Sequence, residues 1–192
     1  TAKRSVDRGA PLPVGCAPMR SDARDRTTLR RRLDDAWERF LRDGDLTGVR
    51  PEIARSWERA RDLYRIDPGL VRAPLDPGDE VACRRERDET LELASPLLAR
   101  FSAQLQDGGQ ALAYFGADGL LLSIGGDPRT VARLAEINLC PGARWREEAA
   151  GTNGSGTAIA DLRPIEVFAS EHFVEAWQPW ASGSATGSSW PP

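Results

Sequence analysis

The sequence predicts a mixed α/β fold of the α+β kind: an antiparallel sheet with flanking helices, preceded by a helical segment. Three observations predict it. Apolar residues recur at helical spacing through residues 27–106. From Gly108-Gly109 onward the pattern changes to short apolar runs punctuated by glycine and proline. Asp118-Gly119 lies between two such runs, a strong hairpin signal.

The helical segment reads element by element. Thr27 or Thr28 is suited to cap a helix running to about Leu41, with Leu29, Leu33, Trp37 and Phe40 as its stripe. Asp43-Gly44-Asp45 ends it. Pro51 opens a second helix to about Tyr64, carrying Ile53, Trp57, Ala60 and Tyr64. Asp67-Pro68-Gly69 breaks the chain again. A third, long helix is expected from about Asp79 to Leu105, charged in its first half and apolar in its second. Pro96 should kink or break it. Its apolar end suits either packing on the domain or pairing with a partner helix.

The second half is strand-rich. Ala111–Phe115 and Leu120–Ile124 are the arms of the hairpin. Asp127 caps, and Pro128 starts, a helix to about Ile137. Ile165-Glu166-Val167-Phe168 alternates like a half-buried strand.

Bulk properties narrow the function. Hydrophobic residues are 40% and charged residues 29% of the chain, the balance of a water-soluble globular protein. Net charge is −3, so no global field draws nucleic acid or an anionic membrane. Arg20, Arg24, Arg26, Arg30, Arg31 and Arg32 are diluted by Asp22 and Asp25 and read as a solvated helix start rather than a nucleic-acid arm. No apolar run spans a bilayer and no signal peptide shows, so the expected location is the cytoplasm. Cys16, Cys83 and Cys140 are odd in number and far apart, as reduced thiols are. The only methionine is Met19, which we read as the authentic start.

The chemistry concentrates between Trp145 and Trp180. Gly151-Thr152-Asn153-Gly154-Ser155-Gly156-Thr157 invites a phosphate-loop reading, but Thr157-Ala158 follows the last glycine where a P-loop places Lys-Ser/Thr. A dinucleotide fingerprint needs a strand before its first glycine, and Glu147-Glu148-Ala149-Ala150 stands there. No G-x-S-x-G elbow surrounds a serine. Cys140 and the single histidine, His172, are a weak nucleophile–base pair, and too few His and Cys residues exist for a metal centre. No enzyme, cofactor or metal is expected. Trp145, Phe168, Phe173 and Trp177 are suited to wall an apolar pocket, with Asn153, Thr157 and His172 as the polar groups that orient a ligand; core packing is the competing reading for each aromatic.

These residues carry a family resemblance. W-x-E-E-x-x-G-T-N-x-x-G-T-A (Trp145, Glu147, Glu148, Gly151, Thr152, Asn153, Gly156, Thr157), then Pro164 and Val167, then Glu171-His172-Phe173, then Trp180, closely resembles the N-terminal GAF sensor domain of acetoin-catabolism-type regulators, which are RpoN-dependent transcription activators. Arg55-Ser56-Trp57-Glu58-Arg59 and Asp67-Pro68 resemble the segment before that domain. The resemblance covers about residues 50–182. It implies a GAF-like antiparallel sheet with a pocket for a small-molecule effector, in a non-catalytic sensor of a regulator of catabolic genes. On it, Trp145, Asn153, Thr157, Phe168, His172 and Phe173 are the candidate ligand contacts.

Two departures shape the expectations. No Walker motif or helix-turn-helix follows, so this chain is not expected to bind DNA directly. Where the family pattern continues with further strands, Ala181 to Pro192 is rich in glycine and serine and is expected not to form a core strand. The expected organisation is a disordered leader at 1–26, a helical segment at 27–106, an incomplete GAF-like domain at 107–182 with its final strands missing, and a disordered tail at 183–192. Expected partners are a small-molecule effector and a second copy of the chain paired through the helical segment. Two other functions stay open: a scaffold that binds a partner through the long helix, and a redox sensor acting through Cys140.

Overall fold

A computed structural model describes residues 23–184. The expectations for Met19 and for residues 185–192 fall outside the described residues. The architecture is a helical half packed on a mixed half, joined through one apolar core.

Helix α1 spans Ala23–Asp43, beginning ahead of the predicted threonine cap. Its buried face is Ala36, Trp37 and Phe40. Gly44, at φ 76, returns its N–H to Phe40 O at 2.9 Å and closes the helix. Helix α2 spans Pro51–Glu58 with proline in its first turn, as predicted. It runs on into a widened π turn, Arg59–Leu63, in which Tyr64 N–H reaches back to Arg59 O at 2.8 Å.

The long helix expected over 79–105 is two helices, and the break is not at Pro96. Helix α3 spans Gly78–Arg87 and α4 spans Glu89–Gln104, with Pro96 inside α4. Asp88 makes the break. It is extended, its carboxylate accepts the Leu91 N–H at 2.8 Å, and Tyr114 donates to the same oxygen at 3.1 Å. A side chain that caps a new helix and receives a strand residue outweighs one missing donor at Pro96. Glu92 and Pro96 are both exposed, so water reaches the carbonyl left without a helical partner.

Strands β1 (Ala111–Phe115) and β2 (Leu121–Gly126) form the predicted hairpin, pairing Ala111 with Gly126. Gly119, at φ 72, supplies its turn. Leu121 and Leu122 point to opposite faces and are both fully buried, so this strand is covered on both sides. Asp127 caps α5 (Pro128–Ala135), accepting the Thr130 N–H at 2.8 Å. The short α6 (Glu147–Ala150) and α7 (Gly154–Asp161) follow.

The last pairing corrects an expectation. Strand β3 (Ile165–Phe168) pairs antiparallel with β4, Ala181–Ser184, joining Ile165 to Ser184 and Phe168 to Ala181. Gly183 and Ser184, placed in a disordered tail by composition, therefore belong to a strand. Low β-propensity is tolerated because β4 is only half covered and gains its order from the β3 ladder. Among the described residues the sheet is not continuous. It is two separate two-stranded units, β1-β2 and β3-β4.

One apolar cluster joins the halves: Phe40, Ile53 and Trp57 from the helices, with Phe173, Val174 and Trp177 from the segment after β3. Phe40 meets Trp57 at 5.2 Å and Phe173 edge-on at 6.5 Å. Two indoles pin that segment: Trp37 Nε1 donates to Phe173 O at 2.9 Å and Trp57 Nε1 to Glu171 O at 2.8 Å.

Candidate functional site

The glycine turn between α6 and α7 has two sides with different chemistry. On the inner side lies a buried polar cluster. Ser56 Oγ stands 2.5 Å from Glu147 Oε1, 2.7 Å from Thr152 Oγ1 and 3.2 Å from Thr157 Oγ1. Arg59 adds Nε at 2.6 Å from Glu147 Oε2 and Nη2 at 2.9 Å from Oε1, and its Nη2 also reaches Asp161 at 3.0 Å. Glu147 is 1% exposed. The neighbouring carboxylates hold the Arg59 guanidinium above its ordinary pKa, hydrogen bonding to Glu147 first among the causes. This cluster joins the R-S-W-E-R stretch to the E-E and G-T-N-x-x-G-T stretches.

The outer side faces a cavity of about 390 Å³. Its apolar walls include Leu112 and Phe115 from β1, Leu134 from α5, and Ile137 and Leu139 beyond it. Trp145 and Trp177, ring centres 4.8 Å apart, line it too. Trp180, half-buried, is also in the lining, with the Arg133 guanidinium 4.9 Å from its ring centre. Ser155, His172 and Ser182 contribute polar groups, and among the described residues no Asp, Glu, Lys or Arg lines the cavity.

His172 is buried and uncharged. Its Nδ1 faces Ala169 O at 2.9 Å, an atom that only accepts, so the ring proton sits on Nδ1. Nε2 then accepts from Ser182 Oγ at 3.0 Å, and Ser182 Oγ accepts the Gly154 N–H at 3.1 Å. Burial depresses the imidazole pKa to about 4, and the Ala169 carbonyl offsets this only in part.

The six predicted contacts divide. Trp145, Asn153 and His172 line the cavity. Thr157, Phe168 and Phe173 do not: Thr157 belongs to the buried polar cluster, Phe173 packs on Phe40, and the Phe168 N–H donates to Glu171 at 2.9 Å. Asn153 reaches the cavity with its polar atoms already engaged. Its Oδ1 accepts from Gly156 N and Ser155 Oγ, capping α7, while Nδ2 donates to Trp145 O and Gly151 O. Glu171 is also structural: Arg50 holds it through Nε at 2.7 Å and Nη2 at 2.8 Å. Sequence reasoning missed Ser182 and Leu134 as cavity residues. A serine in a polar tail carries no periodic signal, and the α5 stripe shows that Leu134 is buried but not against what.

A wider groove of about 710 Å³ along α3 and the start of α4 is lined by Asp79, Glu80, Arg84 and Arg87. It is a solvated charged surface with little to exclude water. Cys140 lies outside both, and burial pushes its thiol up, away from the reactive thiolate. No helix among the described residues is long and apolar enough to cross a membrane.

Residues 31–188 match the family described as MimR, N-terminal domain. The acetoin dehydrogenase operon transcriptional activator AcoR of Bacillus subtilis is 30% identical over 153 residues, covering 78% of this chain and 25% of AcoR. The propane 2-monooxygenase operon transcriptional activator MimR of Mycolicibacterium smegmatis is 33% identical over 144 residues, covering 72% of this chain and 23% of MimR. The chain thus spans about a quarter of the length of these relatives. The solved Escherichia coli DhaR(N)–DhaL complex contains a chain that superposes with a TM-score of 0.64 at 25% identity, over 69% of this chain and 45% of that one. The fold is accordingly GAF-like, and the chain belongs to the MimR N-terminal-domain family.

Proposed function

We propose that this chain is the effector-sensing module of a transcriptional activator of catabolic genes, acting in the cytoplasm without catalysis of its own. The observation that carries the reading is the 390 Å³ cavity, walled by tryptophans and aliphatic side chains with no charged group in its lining. A charged effector entering it would lose hydration with no counter-charge among the described lining residues, Arg133 being stacked on the Trp180 ring and outside the lining, so the effector is small and uncharged. Trp145, Trp177 and Trp180 contact its apolar part, and Ser155 and Ser182, whose protons go to Asn153 and His172, accept from its donors. Asn153 and His172 hold the site in shape.

The test is thermal denaturation with a panel of small neutral alcohols, ketones and diols, each paired with the carboxylate of matching size. Stabilisation by a neutral member that saturates, and that Leu134→Trp removes, supports the reading. Stabilisation by the carboxylates alone overturns it.

A second reading concerns assembly. Leu93, Leu97 and Phe101 recur every fourth residue on α4 and are 81%, 56% and 51% exposed. An apolar stripe of this kind suits a helix partner. The expected partner is a second copy, and sedimentation of the chain against its Leu97→Glu variant tests it. A concentration-dependent mass that the variant abolishes supports pairing; a monomer at every concentration excludes it. DhaR(N) is seen in complex with DhaL, so docking of a different protein is the other use of such a face.

A further inference from the structure

The hydrogen bonds behind Ser182 run in one direction, set by atoms that cannot exchange roles. Ala169 O only accepts, and it stands 2.9 Å from His172 Nδ1, so the ring proton lies there and Nε2 keeps a lone pair. The Ser182 hydroxyl, 3.0 Å away, gives its proton to that lone pair. The Gly154 N–H donates to the same Ser182 oxygen at 3.1 Å. Ser182 lines the cavity, and what it has left to offer a ligand is a lone pair. Turning its proton toward the ligand would leave Nε2 without a donor in a residue only 2% exposed.

Two other hydroxyls of the lining are turned the same way. Asn153 gives both Nδ2 protons to carbonyls, Trp145 O and Gly151 O, so its Oδ1 accepts, and the Ser155 hydroxyl donates to it at 2.9 Å. Thr130 gives its hydroxyl proton to the Asp127 carboxylate. We propose that the effector is recognised through a hydroxyl of its own that donates to Ser182 Oγ, with Ser155 Oγ as a second acceptor, so that the site selects neutral alcohols over ketones and ethers of the same size. A carbonyl or ether oxygen set against Ser182 brings lone pair against lone pair and leaves both without a proton. The choice of class rests on the effector reading of the cavity, while the direction of the hydrogen bonds rests on the fold alone.

The experiment has one arm without ligand and one with. His172 is the only histidine, so the untagged, isotope-labelled chain shows a single imidazole in proton–nitrogen correlation spectra. At neutral pH the expected form carries its proton on Nδ1. A proton on Nε2 overturns the proposal, because Ser182 is then free to donate. Calorimetric titration compares cyclohexanol with cyclohexanone and cyclopentanol with cyclopentanone, pairs alike in size that differ in the donor. Each alcohol should bind about tenfold more tightly than its ketone. In Ser182→Ala the alcohol affinity should fall to that of the ketone, with the ketone itself changed by less than about twofold. If that variant does not fold, the tautomer and the comparison in the unaltered chain decide. Ketones bound as tightly as alcohols overturn the proposal and leave the effector reading standing. Binding of none of the four overturns the proposal, and the wider panel then decides the effector reading by itself.

Discussion

Arg59 on the turn after α2 grips Glu147 of α6 with two nitrogens, at 2.6 and 2.9 Å, across 88 residues of chain. The carboxylate is buried while the guanidinium is partly open to water, so the desolvation cost falls mainly on the acid. Arg59→Ala strands that charge with only the Ser56 hydroxyl to receive. The expected loss is about 3–5 kcal/mol by urea denaturation, with Glu147→Gln less damaging because no charge remains buried. A loss below about 1 kcal/mol for Arg59→Ala, within the range of surface ion pairs, would remove the structural role given to this pair.

His172 predicts an acid sensitivity with a defined sign. An unfolded histidine titrates near its ordinary value of 6.5, whereas the buried one takes up its second ring proton only at about pH 4. Between these values the unfolded chain binds more protons, so stability falls as pH falls from 6.5 toward 4 and the loss is complete below that. The gap amounts to roughly 3 kcal/mol. Carboxylates titrate in the same window, so the measurement is the difference between the chain and His172→Gln. The variant's stability should fall less steeply between pH 6.5 and 4, and parallel curves would show that His172 titrates in the fold as it does in the unfolded chain.

Gly156 has no room for a side chain. A Cβ there would stand 2.4 Å from Trp145 O and 2.8 Å from the Glu147 amide, both backbone atoms that cannot swing aside. Gly156→Ala should cost about 1–3 kcal/mol and should disturb Trp145 emission, because the same carbonyl is held by Asn153. A neutral Gly156→Ala would contradict this packing.

Phe173 and Leu134 separate stability from binding. Phe173 is fully buried on Phe40, away from the cavity, so Phe173→Leu should lower the melting temperature and leave the affinity for a neutral effector within about twofold, a difference of about 0.4 kcal/mol. Leu134→Phe reduces the cavity and should do the reverse. The check is a calorimetric titration of both variants with the effector identified from the panel. Equal affinity losses in the two would put Phe173 in contact with the ligand.

The sequence is most legible where local chemistry decides. Pro51 in the first turn of α2, Asp127 capping α5 and the Asp118-Gly119 turn each depend on a few adjacent residues, and each is where the residues place it. The sequence points to a kink or break at Pro96 because proline carries a known penalty, whereas the strength of Asp88 depends on Tyr114, distant in sequence. The β3-β4 pairing was hidden for a similar reason: Ala181–Ser184 has no strand propensity of its own and takes order from β3. In the site, the tryptophans and His172 were identifiable by type. That Thr157 faces Ser56 rather than the cavity follows from a contact across 101 residues, which spacing cannot reveal.

The saturation of Asn153 bears on how relatives are to be compared. Its amide is spent on Trp145, Gly151, Ser155 and Gly156, all within the fold. Two regulators that share this motif therefore share a scaffold, and nothing in the motif obliges them to respond to the same molecule. Kinship is written in the glycine turn, while Leu112, Leu134 and Leu139 line the cavity and take no part in that turn's hydrogen bonds.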